Sequence, residues 1–394
     1  MDRLNSFGFL RQVTHMATTT LLKRLLHSIP LGRKADPALK AAVATGDLSS
    51  FQKAFLAVLT KPVKRIRKRL GNDSLLALWS IDAVDLSGRE RELAASLEDL
   101  ASRAGRQLTT THKQNSDRKK KRAKASLKYD EVITNWLVEV GTTPGPWETI
   151  AVAEILLREG RFLSPENFTQ ALAVLADAAL RDSSGSLFDV PTATGEDNAV
   201  RQMIRQGELQ WISSLLLSPL GGVQTLGKSA TESLRKILLE CTDKDGLVHG
   251  SLLNQIQDWL APITRCTIWS DAFHESLWSN DSAERLALIT ERAALLMLPL
   301  QQHEMHGDDA PTKSRPSLTE ILEFLIPLSG SPQEKWLAKL AKKCRKPAKE
   351  VTQPKRPKKT KSENDADEVS PDDSISSNRR SKAELKKQKK NSHR

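Results

Sequence analysis

The chain has 394 residues, enough to bury one large core or two ordinary ones, and Leu and Ala dominate its apolar residues against a single Tyr and nine Phe, which favours helices over sheets. Its net charge of +12 is unevenly placed: eighteen basic residues stand against ten acidic ones over 1–112, eight against one over 113–128, sixteen against twenty-nine over 129–340, and eighteen against eight over 341–394. The best-patterned segment is therefore acidic, which disfavours a generic nucleic-acid-binding core and leaves any such affinity to the basic flanks.

From Arg3 to Ala35 there is no acidic residue, while Arg11, Lys23, Arg24, Arg33 and Lys34 punctuate a Ser/Thr-bearing stretch that resembles an organelle transit peptide. The alternative is an amphipathic first helix over Leu21–Leu26, ended by Pro30. No apolar run reaches the roughly 18–20 residues that span a bilayer and no secretory h-region is present, so a cytoplasmic protein without a membrane partner is expected. Cys241, Cys266 and Cys344 form no CxxC pair and leave an odd thiol, which points away from a disulfide framework or zinc cluster and fits a reducing compartment.

Short helices are predicted over Phe51–Leu59 and Glu90–Leu100 in an N-terminal helical region, 1–112. Between them "KPVKRIRKRL" (61–70) reads as a solvated helix face, with phosphate contact as its functional alternative. The run "KQNSDRKKKRAKASLK" (113–128) is a basic linker or insert.

From 129 to 345 the helical signal is clean. Ser164-Pro165 supplies an N-cap and a first-turn proline ahead of the stripe Phe168, Leu172, Leu175 and Ala179. Asp281 and Glu284 fit a capping box before Leu286, Ile289, Ala293 and Leu296. Leu234, Ile237, Leu238 and Cys241 form a stripe leading into "TDKDGLVHG" (242–250), and Leu252, Ile256, Trp259 and Leu260 form another beyond it. That stretch is thus predicted to connect an αα-hairpin, with Gly246 giving the backbone freedom of a tight helix end. Gly185 and Gly307 sit at equal intervals on either side of Gly246, consistent with a repeat of helix pairs. Residues 346–394 hold almost no large apolar side chain and are expected to form a disordered charged tail.

The chemistry-bearing candidates are few. Trp211, Trp259, Trp269 and Trp278 cluster in the acidic segment; indoles stack on sugar rings, although core packing is the commoner role. Trp259 falls on a buried stripe, whereas Trp269 and Trp278 flank "SDAFHES" and are rim candidates. His303 and His306 with Asp308 and Asp309 only superficially resemble a metal site, so no metal is expected, and no cofactor motif is present. No G-x-S-x-G elbow or Gly-rich nucleotide loop occurs.

The passage from "GELQWISSLLLSPLGGVQTLG" through "TDKDGLVHGSLLNQIQDWLAPITRCTIWSDAFHESLWSNDSAERLALI" resembles the incomplete α/α-toroid domain of heparinase II/III-like polysaccharide lyases, over roughly 135–307. The resemblance implies an all-α fold, an incomplete α/α toroid of helical hairpins, acting on or binding an acidic polysaccharide. Members of that family continue into a β-sandwich, whereas this sequence runs into a charged tail, which implies a truncated relative or a toroid adapted for binding. Elimination beside a uronate needs a base, an acid and a group that neutralises the carboxylate. His249 or His274 is a candidate catalytic base, Arg265 a carboxylate partner, and Trp211, Trp269 and Trp278 are candidate substrate contacts. The only tyrosine, Tyr129, abuts the Lys-rich insert and is poorly placed for catalysis, so this chain alone is expected to lack a complete active site. The competing reading is a non-enzymatic helical scaffold that contacts nucleic acid or an acidic protein through 113–128 and 341–394.

Overall fold

The computed structural model describes residues 23, 26–27, 31–32, 35–70, 88, 91–97, 129–139, 144–183, 200, 203–221, 223–304 and 317–345. The chain divides into two units, Met1–Pro347 and Ala348–Arg394, and every described residue belongs to the first. The transit-like stretch for the most part, the insert 113–128, the tail 346–394 and the flanking glycines Gly185 and Gly307 lie outside the described residues.

The described residues are helical, with two isolated β-bridges and no strand among them. Helix α1, Pro37–Thr45, starts where the Asp36 carboxylate accepts from the Ala38 N–H at 2.8 Å, and Gly46 closes it in the left-handed region at φ 65°. Helix α2, Leu48–Leu70, absorbs both the predicted Phe51–Leu59 helix and the basic stretch after it, despite an internal Pro62. It turns Phe51, Phe55, Leu59 and Ile66 into the core.

A helical segment over 129–139 precedes α3, Pro146–Glu159, in which Trp147 to Arg158 are all buried. Helix α4, Pro165–Ser183, begins as the sequence predicts: Ser164 Oγ accepts from the Asn167 N–H, and Phe168, Leu172, Leu175 and Ala179 are buried. Asp130 anchors the same cap by accepting from the Ser164 N–H at 2.7 Å. A π-helical turn, Met203–Glu208, runs into α5, Leu209–Leu216, and then α6, Gln224–Glu240.

After the 242–250 connection come a 3₁₀ turn, Gly250–Gln255, then α7, Ile256–Phe273, and α8, Asn280–Glu304. Helices α9, Leu318–Leu325, and α10, Glu334–Arg345, complete the body. Every residue of α7 except Gln257, Asp271 and Phe273 is buried, because α2, α5, α9 and the π-turn all pack against it. A helix apolar on most of its circumference belongs at the centre of a helical body, and α7 takes that place.

One local expectation is refined. The cap of α8 is Ser279, whose N–H donates to Ser282 Oγ at 2.8 Å and whose carbonyl accepts from the Ala283 N–H; Asp281 falls inside the first turn rather than in the capping role. The serine pair sits two residues earlier than the Asp281–Glu284 spacing and fixes the start there. Of the predicted stripe, Leu286, Ile289 and Ala293 are buried and Leu296 is half-buried against the core.

The 242–250 stretch connects α6 to α7 and is tied by a Thr242–Val248 bridge and by the His249 N–H donating to the Cys241 carbonyl. Helix α6 packs chiefly on α5, the π-turn and α8 rather than on α7, so the expected αα-hairpin does not form: α7 is enclosed by other elements. Asp243 Oδ1 accepts from the Asp245 and Leu247 N–H groups, forming an Asx-type turn. Gly246 adopts φ 76°, and a Cβ there would lie 2.5 Å from Leu288 Cβ and 2.7 Å from the Leu288 carbonyl carbon. Glycine is therefore required twice over, for its conformation and for the approach of the loop to α8. From α8, Arg285 donates to the Thr242 and Asp243 carbonyls and Arg292 to the Asp245 carbonyl, which staples the loop to the body.

Candidate functional site

The residues singled out by the sequence do not converge. Trp211 is buried, with its indole N–H donating to the Cys266 carbonyl at 3.3 Å. Trp269 is 1% exposed and stacks on Phe273, so it is a core residue and not the rim residue expected; α7 turns it inward between the elements that enclose the helix. Trp278 is half-buried and donates to Thr267 Oγ1 at 3.1 Å. Trp259 is fully buried, as its stripe predicts.

His249 and His274 are both exposed, at opposite ends of α7. An 18-residue helix at 1.5 Å per residue is about 27 Å long, so the two imidazoles cannot serve one sugar ring as a base and acid pair. His274 closes α7 in the left-handed region at φ 58°, where glycine is the usual occupant.

Arg265 lies in the interior, where its Nε and Nη2 donate to Glu208 Oε1 and Oε2, the latter at 2.7 Å. Both side chains are buried, at 3% and 0% exposure, so this guanidinium is not presented to a ligand carboxylate. Burial pushes the Glu208 carboxyl up and Arg265 opposes that push. Glu154 and Arg158, one turn apart on α3, join the same electrostatic environment. The Glu154 carboxyl is pushed up to about 8, first by burial; Arg158 and Arg265 act against the rise and Glu208 adds to it. Its Oε2 has no hydrogen-bond partner among the described residues, and neither has Oδ1 of Asp258, which α7 buries nearer its start.

Burial also acts on two of the cysteines and on the tyrosine. Burial raises the Cys266 thiol well above its ordinary range, and desolvation raises Cys241 as well. Tyr129 is pushed up to about 12, mainly by burial and secondly by Glu159. No group of three His, Cys, Asp or Glu side chains able to hold a metal ion occurs among the described residues.

The basic stretch of α2 was the feature whose role the sequence left least visible. Arg65 donates to the Ala272 carbonyl at 2.7 Å, Arg67 to the Arg158 carbonyl and to Glu159, and Arg69 pairs with Asp271 at 2.7 Å. These three arginines close the carboxyl ends of α3 and α7, whose last carbonyls lack partners within their own helices. Elsewhere Arg235 donates to the Leu277 carbonyl at 2.7 Å. The expectation of a wholly solvated face is thereby corrected: the arginines fasten α2 to its neighbours, Arg65 and Arg67 half-buried and Arg69 exposed, while Lys61, Lys64 and Lys68 face out. A sign of this was present in the sequence, since three arginines stand close together in a helix without a single acidic residue to pair with.

No protein-family model, curated protein or solved structure matches the chain. Among the described residues no helix is long and apolar enough to cross a membrane.

Proposed function

We propose that this protein is a non-enzymatic helical scaffold that binds polyanions, nucleic acid foremost, through its Lys/Arg-rich segments 113–128 and 341–394. The observation that carries the reading is that seven arginines of the body are engaged by groups of their own chain. Arg65, Arg67, Arg69, Arg235, Arg265, Arg285 and Arg292 all donate to carbonyls or carboxylates of their own chain. The two Lys/Arg-rich segments concentrate cationic charge, with eight basic residues against one acidic and eighteen against eight. The acidic segment between them repels polyanions and directs them to those flanks. The test is the salt dependence of duplex-DNA binding by the full chain and by a chain whose 113–128 segment is replaced with a neutral linker. A shallower slope in the second supports the reading; an unchanged slope refutes it.

The second reading is the incomplete toroid of a heparinase II/III-like protein that binds an acidic polysaccharide, or cleaves it by β-elimination when another domain completes the site. It draws on the 242–250 connection from α6 to α7, which carries an exposed His249. Release of unsaturated uronate from a uronic-acid polysaccharide by the full chain, abolished by His249→Ala, would establish it. No product after prolonged incubation would exclude catalysis by this chain.

A further inference from the structure

Helix α2 sorts its basic residues by type. Over its 23 residues it carries Lys53, Lys61, Lys64, Arg65, Arg67, Lys68 and Arg69 and no Asp or Glu. The three arginines bind groups of α3 and α7, and Lys53 acts on Asp47. Lys61, Lys64 and Lys68 are exposed and make no ion pair among the described residues. At 100° per residue they share an arc of about 60°, roughly opposite the buried stripe Phe51, Phe55, Leu59 and Ile66.

We infer that this lysine face of α2 is a docking surface for the phosphate backbone of duplex nucleic acid. From Lys61 to Lys68 the helix rises about 10 Å, the length of duplex axis over which one strand advances roughly three phosphates at ~3.4 Å of axial rise each. The face is held rigid, because the arginines between the lysines are fastened to two other helices. It offers charge without apolar wedges: the large apolar residues of α2 point inward except Val58, so it lacks the exposed apolar side that an interfacial membrane helix inserts. It also presents no aromatic ring, so it suits neither single-strand base stacking nor stacking on a sugar. Lysine ammonium groups act as point charges on phosphate, and contacts of this kind position a duplex without reading its sequence.

The partner class rests on the polyanion reading above, but the surface lies outside the two segments named there. The experiment is fluorescence anisotropy of a labelled DNA duplex with the full chain across a salt series. It compares the wild type with Lys61→Gln/Lys64→Gln/Lys68→Gln and with a control, Lys228→Gln/Lys244→Gln/Lys335→Gln, which removes the same charge from exposed sites elsewhere. The α2 variant is expected to lower the slope of log affinity against log salt by roughly 2–3, near 0.9 per lost phosphate contact, while the control leaves it unchanged. Equal losses in both variants, no loss in either, or absence of duplex binding by the wild type overturns the inference. So does retention of binding by heparin or anionic vesicles alone. If the α2 variant loses affinity and replacement of 113–128 does not, the lysine face stands and the flanking-segment reading falls.

Discussion

Arg265 of α7 and Glu208 at the end of the π-turn form a two-pronged ion pair inside the protein, with both side chains almost completely removed from solvent. The pair joins the central helix to the turn that precedes α5. Such a pair adds little relative to a well-packed apolar replacement, yet losing one partner strands a buried charge.

Arg265→Ala should therefore lower stability by about 3–5 kcal/mol, and Arg265→Met combined with Glu208→Leu should recover most of that loss. Urea unfolding midpoints of the two variants measure it. Additive losses in the double variant would show that the two residues act separately.

Glu154 gives stability a pH dependence. Its folded-state carboxyl lies near 8 against an ordinary value of 4.5, so the folded protein holds this proton more tightly than the unfolded chain does. Its contribution is most favourable below about 4.5 and is lost as the pH rises through about 8. Glu154→Gln should be about as stable as wild type at pH 5 and more stable above pH 8, by a few kcal/mol. Thermal melts across that range read the difference, and parallel profiles for the two proteins would contradict it.

Gly246 and Gly330 both adopt positive φ, 76° and 70°, but only Gly246 has another helix's backbone within contact of a Cβ. Gly330→Ala should cost about 1 kcal/mol for conformation alone. Gly246→Ala should cost at least twice as much, because the loop must also move off Leu288. Chemical denaturation of the two single variants separates the terms.

Much of this was legible in the sequence, and the reason differs by feature. The stripes of α4, α6 and α8 and the Ser164 cap are local patterns, and local patterns survive folding. The Gly246 turn was legible too, although its close approach to Leu288 was not, since that depends on a helix forty residues away in sequence. The site residues failed for the same reason. Trp269 and Trp278 look alike in sequence, flanking one short loop, and only the enclosure of α7 by α2, α5 and α9 decides that Trp269 is core. Glu154 and Arg158, four apart in the apolar run of α3, were the visible trace of the buried charge cluster. Their relation to Glu208 and Arg265 is long-range and left no local mark.

His274 occupies a position that glycine fills at lower conformational cost. His274→Gly should raise stability by about 0.5–1 kcal/mol without altering duplex affinity. A drop in affinity with raised stability would instead give this histidine a role in binding.

The most direct test of the scaffold reading is a competition titration: the full chain, bound to a labelled DNA duplex at low salt, is challenged with a uronic-acid polysaccharide and with salt, and the same is done after removal of 346–394. The scaffold reading predicts that truncation weakens duplex binding and flattens its salt dependence, and that no polysaccharide is cleaved during the titration. Undiminished duplex binding by the truncated chain, or accumulation of unsaturated uronate, would contradict it.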